Sequence, residues 1–231
     1  MNILKTMLLA AAATAAMGGS ALAAEDDNIS MAFNVGAATD YVFRGVSQTD
    51  EGGQIFGGAD ATLFGIGYAG VWVSNVDFNN GTDIEYDLYA GVKPVLGPVN
   101  LDFGFFYYGY TNQPTGSNED YVEYKAAAST AVGPATVGAL VFYSPEFFGK
   151  TGKATYYEIN GAVPVAEKVS VSGAIGHQEI EGPADYNTWN LGVGYALNDT
   201  IGFDLRYHDT DEHGFGDIYE SRVVLGVKAS F

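Results

Sequence analysis

Alternation of apolar and polar residues is the feature that most limits how this 231-residue chain can fold. The segment 201–208 is apolar at every odd position, and the C-terminal segment 223–231 repeats the pattern. Because successive side chains of a β-strand point to opposite faces, each such segment has one apolar and one polar face. Most of these segments have the length of about nine to eleven residues that a tilted strand needs to cross a bilayer.

Twelve segments of this kind are spread over nearly the whole chain, of which 68–76 and 134–143 alternate less clearly. They predict an all-β fold, a transmembrane antiparallel up-and-down β-barrel of about 12 strands. The predicted strands are 31–44, 55–63, 68–76, 84–93, 99–110, 122–131, 134–143, 157–165, 169–177, 189–197, 201–208 and 223–231.

Connection lengths separate this barrel from a water-soluble sandwich, whose strands also alternate. Tight turns are predicted at 65–67, 97–98, 133–134, 166–168 and 198–200, and longer loops at 47–53, 77–81, 111–118, 144–153, 179–185 and 209–216. Strict alternation of turns and loops indicates an even number of strands with both termini on the short-turn side. The uncharged stretch 126–143 is long enough for a membrane helix, but Gly133-Pro134 interrupts it and favours two strands with a turn.

Charged residues within the predicted strands all fall on the polar parity, which in a barrel faces the lumen. A charge facing lipid at mid-depth is strongly destabilising, so this agreement supports a barrel. The candidate pore-lining residues are Asp40, Arg44, Asp60, Glu85, Asp87, Lys93, Asp102, Glu123, Lys125, Glu158, Asp204, Arg206, Glu220, Arg222 and Lys228. Phe33, Phe103, Phe105, Leu191, Ile201, Phe203, Leu205 and Leu225 are predicted to face lipid.

Residues 1–24 have the pattern of a cleaved signal peptide, with Lys5, an apolar run and the small-x-small site at 21–23. The remaining residues 25–231 are predicted to form a single barrel domain with nine basic and 28 acidic residues. Such an acidic chain lacks the basic surface that nucleic-acid binding needs. The chain has no cysteine, which excludes disulfides, thiolate metal sites and a cysteine nucleophile.

The segment 40–49, Asp-Tyr-Val-Phe-Arg-Gly-Val-Ser-Gln-Thr, resembles the signature of the TorF-like porin family, a group of exported bacterial proteins first described without a function. Further agreement lies at 68–72, 74–78, 85–91, 107–110 and 143–149. Residues 50–54 depart from the family pattern, which has a proline before Gln-Gly-Gly. The resemblance implies an outer-membrane barrel of porin type, and it supplies no catalytic or ligand residues.

Asp40 and Arg44 admit two interpretations, because both fall on the lumen parity of the first predicted strand. They either form a charged pore constriction, or they form an interior ion pair that fills the lumen and fixes the register. Inward parity is also predicted for Phe106, Tyr108 and Tyr110, which could stack on sugars, although aromatic residues near strand ends more often form membrane girdles.

Two other chemistries have weak support. Asp209, Asp211 and Glu220 match positions one, three and twelve of a calcium-loop pattern, but His213 replaces an oxygen ligand and strands flank the loop. A barrel hydrolase would need a serine held by a histidine, and neither Ser47 nor Ser144 lies in such a motif. The sequence therefore predicts no catalytic residues, no metal and no cofactor.

The resulting hypothesis is a bacterial outer-membrane porin that passes small hydrophilic solutes or ions and weakly prefers cations. Its predicted partners are outer-membrane lipid, the solutes themselves and the barrel-assembly machinery, which would recognise the terminal aromatic Phe231. The long acidic loops are expected outside the cell and both termini in the periplasm. A closed structural or adhesion barrel that presents acidic loops and a barrel hydrolase are the alternatives.

Overall fold

A computed structural model describes residues 22–23, 28–182 and 184–231, and twelve long strands make up most of this part of the chain. The strands are β1 (Ile29–Ala38), β2 (Gln54–Leu63), β3 (Gly67–Asn75), β4 (Ile84–Val92), β5 (Val99–Thr111), β6 (Tyr121–Val132), β7 (Ala135–Ser144), β8 (Ala154–Ala166), β9 (Val169–Ile180), β10 (Tyr186–Ala196), β11 (Ile201–Thr210) and β12 (Arg222–Ser230). Three single 3₁₀ turns, Phe148–Lys150, His213–Phe215 and Asp217–Tyr219, lie in the loops.

Every strand pairs antiparallel with its neighbours in sequence, and β12 pairs with β1, so the sheet closes into a barrel. Closure satisfies the backbone hydrogen bonds of all strands, which a bilayer core requires. The seam extends past β12, because the backbone N–H and C=O of Phe231 both bond to Phe33, at 2.9 and 3.0 Å. The predicted fold class is confirmed.

The connections alternate in length as predicted, which gives the barrel a short-turn end and a long-loop end. Short turns join β2 to β3, β6 to β7, β8 to β9 and β10 to β11, while Gly97-Pro98 makes the tight turn before β5. The stretch 126–143 forms most of β6 and β7 with a turn between them. No helix in the described part of the chain has the length and apolar character needed to span a membrane.

The two faces of the wall follow the sequence pattern. Among the residues predicted to face lipid, Phe33, Phe103, Phe105, Leu191, Phe203, Leu205 and Leu225 are exposed on the outer surface, and Ile201 is partly exposed. The charged parity of the strands points inward, as the carboxylates of Glu85 and Glu123 show with exposures of 2% and 1%. An apolar exterior around a polar interior is the arrangement of a barrel in lipid.

Two predictions about the N-terminal part need comment. The predicted signal peptide, residues 1–24, lies outside the described residues except for Leu22–Ala23, which pairs with Ser30 and Met31. The prediction that the first strand reaches Arg44 is wrong, since β1 ends at Ala38. The chain then leaves the wall, and residues 39–53 fold back into the barrel before β2 begins.

Candidate functional site

The segment that leaves the wall forms a short hairpin inside the lumen, defined here as residues 40–49 and called the inner hairpin. Val42–Phe43 pairs with Val46–Ser47, and Gly45 lies at its tip with a φ of 87°. A Cβ on Gly45 would lie 2.3 Å from the hydroxyl oxygen of Thr188 on β10. Glycine is therefore required at the tip both by the left-handed backbone and by the close contact with the far wall.

Arg44, beside the tip, is enclosed by groups from four consecutive strands. Its guanidinium donates to both carboxylate oxygens of Glu123, at 2.8 and 2.7 Å, and to the side-chain oxygen of Gln178 at 2.9 Å. The rings of Phe142 and Tyr156 lie 5.0 and 4.4 Å from the guanidinium carbon. We call these four wall residues the Arg44 cage, and they leave Arg44 only 5% exposed.

The base of the inner hairpin is fixed by a second charged residue. Asp40 accepts hydrogen bonds from the hydroxyls of Ser47 and Thr49 within the hairpin. It also accepts one from Arg222 on β12 at 2.9 Å. Tyr41 donates its hydroxyl to Glu85 on β4 at 2.7 Å. The hairpin is therefore anchored at its base as well as at its tip.

The inner hairpin spans the full width of the barrel. The wall residues beside it belong to every strand from β3 to β12, namely Trp72, Glu85, Tyr108, Glu123, Phe142, Tyr156, Gln178, Thr188, Thr210 and Arg222. The residues that form these contacts lie toward the long-loop ends of their strands, so the hairpin fills the lumen at that end.

Aromatic side chains pack over the hairpin from the same end. Tyr108 and Tyr110 are buried, and Phe106 packs against the same cluster, which confirms the predicted inward parity of these three residues. Phe147 and Phe148, from the loop after β7, contact Tyr121 and Tyr110 respectively, and Phe78 joins them from the loop after β3. These rings are interior packing of the long-loop half.

The short-turn half is lined differently, because its longest side chains lie flat along the wall. Tyr68 crosses two neighbouring strands, where a Cβ on Gly91 or Gly104 would lie 2.5 Å from its hydroxyl, and donates to Asp102 at 2.8 Å. Tyr89 lies in the same way over Gly70, and Arg206 over Gly192. Glycine neighbours leave room for these side chains beside the wall instead of in the centre of the lumen.

Small residues occupy most other inward positions of this half. They are Asn34, Thr62, Asn100, Ala127, Ser129, Ala131, Thr136, Gly138, Ala162, Ser170, Ser172, Ala174, Gly194, Gly202 and Gly226. The ion pairs Lys125–Asp102 and Arg206–Asp204, at 2.8 and 3.0 Å, hold the charged side chains against the wall. Glu158 accepts hydrogen bonds from Tyr156 and Asn160 on its own strand.

Several predicted site residues need correction. Asp40 and Arg44 lie in the lumen but on the hairpin, and they pair with Arg222 and Glu123 instead of with each other. Lys93 is exposed in the turn after β4, although its ammonium lies 4.5 Å from the Tyr68 ring centre. Glu220 is exposed in the loop before β12. Both were placed in strands because the alternation continues for one residue after the end of β4 and for two residues before the start of β12.

The lumen keeps a negative balance after these corrections, because one acid and one base leave the set together. Its charged side chains are the acids Asp40, Asp60, Glu85, Asp87, Asp102, Glu123, Glu158 and Asp204 and the bases Arg44, Lys125, Arg206, Arg222 and Lys228. The sequence predicted all thirteen as lumen residues, but it gave no sign of Gln178, Phe142 and Tyr156 as partners of Arg44.

The calcium pattern does not form a site. Asp209 is bound to the hydroxyl of Tyr207 and to His213, Asp211 is bound to Asn187, and Glu220 is exposed. In the described part of the chain, no three acidic or histidine side chains are arranged to hold a metal. The hydrogen bond that the His213 ring donates to the carboxylate of Asp209 raises the pKa of His213 above its usual value.

The serines considered for hydrolysis are engaged in other ways. Ser47 donates to Asp40 inside the hairpin. Ser144 is buried at the end of β7, and its hydroxyl has no hydrogen-bond partner. Neither serine is hydrogen-bonded to a histidine, so the geometry offers no activated nucleophile among the residues that were considered.

Solved structures with the same architecture are porins and outer-membrane channels. A KdgM porin covers 87% of this chain and 99% of its own length, with a TM-score of 0.63 and 9% identity. A NanC porin has a TM-score of 0.58 and 9% identity, and the match covers 87% of this chain and 98% of the NanC chain. An outer-membrane channel of Pseudomonas putida F1 has a TM-score of 0.56 and 9% identity, and the match covers 90% of this chain and 96% of that channel. At this identity the likeness shows the fold.

The comparison with curated protein sequences gives no match. A family model does match, over residues 23–231, and it describes a bacterial protein of unknown function, Gcw_chp. The match supports the bacterial family of unknown function implied by segment 40–49, while the TorF-like name itself is not confirmed. Because the model spans nearly the whole chain, this protein belongs to the Gcw_chp family.

Proposed function

We propose that this protein is an outer-membrane channel for small hydrophilic solutes, with a weak preference for cations and a lumen that the inner hairpin closes at the long-loop end. The short-turn half supplies the wide part of the path. In this proposal the long loops face the outside of the cell and both termini face the periplasm. No step of this function requires a catalytic residue or a cofactor.

The observation that carries the proposal is the construction of the short-turn half. A barrel that only needs to be solid fills its interior with large side chains. Here Tyr68, Tyr89 and Arg206 lie along the wall over glycines, and small residues face the centre. This arrangement leaves the centre of the short-turn half to small side chains and lines the wall with polar and charged groups, as a porin lumen requires.

The net negative charge of the lumen favours the passage of cations over anions. The KdgM porin has been solved in complex with oligogalacturonate, whose sugar units carry carboxylates. In the present lumen, four of the five bases are already paired with acids of the same set, Arg44 with Glu123, Lys125 with Asp102, Arg206 with Asp204 and Arg222 with Asp40, and the acids are in excess. A polyanion would meet net repulsion here, so we do not carry that class of solute over to this chain.

A second source of cation preference lies at the long-loop mouth. Its acidic residues are Asp50, Glu51, Glu119, Asp120, Glu146, Glu179, Glu181, Asp209, Asp211, Glu212 and Asp217, with Lys150 and Lys153 opposed to them. A potential at the mouth acts through water and is screened over about 8 Å at physiological salt. We therefore expect the mouth to dominate selectivity at low salt.

Reversal potentials across a KCl gradient test this proposal in planar bilayers. We expect cation preference that falls between about 0.1 and 1 M KCl, because added salt screens the mouth. Anion preference would contradict the charge argument. Cation preference independent of salt would instead place the filter in the lumen, where Asp60 and Glu85 are the first residues to neutralise.

A closed structural barrel that presents acidic loops is the second candidate function, and the inner hairpin is the observation that favours it. A hairpin in contact with ten strands could be a permanent plug. Single-channel recording separates the two candidates, because a permanent plug gives no current steps, whereas a hairpin that opens gives discrete steps.

A further inference from the structure

The Arg44 cage has the composition of a binding site for an organic cation. Glu123 offers two parallel acceptors to a planar guanidinium, which is the geometry of the strongest carboxylate pairs. Gln178 adds a neutral acceptor, and the rings of Phe142 and Tyr156 add cation–π contacts. All four residues belong to the wall strands β6 to β9, so the cage remains in place when the hairpin moves.

Two further acidic side chains lie beside the cage. Asp87 lies directly opposite Tyr108 of β5, whose hydroxyl donates to Glu123 at 3.0 Å, and Glu158 accepts a hydrogen bond from the hydroxyl of Tyr156. Asp87 is 9% exposed, and its Oδ1 is buried without a hydrogen-bond partner. A carboxylate oxygen left unsatisfied beside the cage is an acceptor available to a second donor, and it favours a cationic ligand.

The inner hairpin is built as a segment that could leave the cage. Its own ladder is short, with two residue pairs and one further backbone hydrogen bond, from Gln48 to Tyr41 at 2.7 Å. Arg44 in the hairpin, and Asp50 and Glu51 directly after it, have φ values of 49°, 48° and 63°, a conformation that non-glycine residues seldom adopt. The contacts of the closed state must offset this strain, so loss of the Arg44 contacts releases it.

We propose that Arg44 occupies the cage as a tethered stand-in for a solute that carries a guanidinium group, and that such a solute opens the channel by taking its place. This inference rests on the proposed channel function. A guanidinium compound cannot enter while Arg44 fills the cage, so it binds only the open state and shifts the population toward opening. Guanidinium fits better than ammonium, because the bidentate and stacked contacts need a planar group.

The first test uses the wild-type protein in planar bilayers. Guanidinium chloride at about 10 mM is expected to raise the open fraction about tenfold, since only the open state offers it the cage. Urea is the neutral isostere, and ammonium chloride controls for a compact cation, so both should leave the open fraction nearly unchanged. An equal response to guanidinium and urea, or no response to guanidinium, overturns the proposal.

The second test uses Arg44→Ala, which empties the cage. The variant should be open without any added cation, and guanidinium should then partly block its current by binding in the vacant cage. Adding Glu123→Gln to this variant should remove the block. Lys168→Ala is the matched control, because it also removes one positive charge but lies exposed in the turn between β8 and β9, outside the lumen, and this variant should gate like the wild type.

The outcomes distinguish the two proposals. If Arg44→Ala opens the channel but guanidinium neither opens the wild type nor blocks the variant, the cage is not a solute site and the channel function stands. If Arg44→Ala never conducts, although its heat-modifiable mobility on gels shows a folded barrel, the proposed function itself fails.

A measurement on an otherwise intact chain covers the case in which the Arg44 variant does not fold. The chain has no cysteine, so Val46→Cys places a single thiol on the hairpin, at a residue that is 7% exposed. Guanidinium should accelerate its reaction with a membrane-impermeant maleimide, and urea should not. Thr115→Cys, on an exposed loop, is the control, and its thiol should react at the same rate with guanidinium, with urea and with neither. If guanidinium leaves the reaction rate of Val46→Cys unchanged, the proposal is overturned.

Discussion

The two halves of this barrel share one wall and one alternation pattern, yet side chains fill the lumen in the long-loop half and lie along the wall in the short-turn half. In the long-loop half, large residues point to the centre and the inner hairpin packs between them, with Tyr41, Arg44 and Ser47 at most 5% exposed. In the short-turn half, Tyr68 and Tyr89 lie along the wall over glycines. Residue size at inward positions, more than polarity, therefore decides which part of the lumen is filled.

The comparison also explains how a closed state and a channel can coexist in one molecule. Wall closure holds the short-turn half together, because the backbone ladder is complete without a packed centre. The long-loop half adds a core of its own, in which Glu123 and Asp40 compensate the charges of Arg44 and Arg222. The hairpin can move without opening the wall, since side chains and the tip make its contacts to strands β3 to β12, and the backbone bond from Asp77 to Gln48 joins it to a loop and not to a strand.

The largest expected effect concerns wall closure. Deletion of Phe231 removes the two backbone hydrogen bonds that extend the seam to Phe33, and it removes the terminal aromatic side chain. We expect most of the folded barrel to be lost, while Phe231→Tyr should assemble normally, because it keeps both the backbone and the ring. Heat-modifiable mobility of outer-membrane fractions measures this, and equal yields from the deletion and the wild type would contradict the role of the seam.

A smaller effect is expected from filling the space that Tyr89 uses. A Cβ on Gly70 would lie 2.5 Å from the Tyr89 ring, so Gly70→Ala must push the ring toward the lumen and strain its 2.6 Å hydrogen bond to Asp60. We expect a loss of about 1–3 kcal/mol in unfolding free energy, typical of overpacking, together with a lower open-channel conductance.

Gly226→Ala is the control for this prediction, since it lies on the same inward face and its nearest neighbour would be 3.8 Å away. A conductance and a stability of Gly70→Ala equal to those of Gly226→Ala would show that the rings do not need the wall glycines.

The smallest effect is expected outside both halves, in the loop before β12. The hydrogen bond to Asp209 raises the pKa of His213, so the protonated histidine stabilises the folded loop. This contribution is fully present below the unfolded pKa of about 6.5 and is lost as the pH rises through the higher folded pKa. Thermal unfolding should therefore show that His213→Gln is less stable than the wild type at pH 5 and equal to it at pH 9. A stability difference at pH 9 as large as that at pH 5 would show that titration of His213 is not its cause. The single-channel conductance of His213→Gln should equal that of the wild type at both pH values.

The sequence predicted the wall well, because alternation and connection length are local properties. It predicted all twelve strands, of which only the first was extended by more than one residue beyond its end, together with the lipid-facing residues and the inward parity of Phe106 and Tyr108. Ion pairs between residues two positions apart on one strand, such as Asp204 and Arg206, also follow from the alternation, because both side chains point into the lumen.

The inner hairpin could not be predicted from the same signal. Residues 40–44 continue the alternation of β1, so parity alone extends the strand to Arg44. The partner of Arg44 is Glu123, 79 residues away, and no local pattern connects them. The glycine at position 45 and the hydroxyls of Ser47 and Thr49, which bind Asp40, are the local features that could have suggested a turn at this point.

The central claim is that the inner hairpin closes a lumen that is otherwise open, and single-channel conductance of a chain without the hairpin tests it most directly. Residues 41–48 would be replaced by a short Gly-Ser linker, which leaves β1 and β2 and all other strands intact. The account predicts a stable open channel with continuous current, compared with brief or rare openings of the wild type. A folded barrel that still carries no current after this replacement would contradict the claim and would show that the lumen is closed elsewhere.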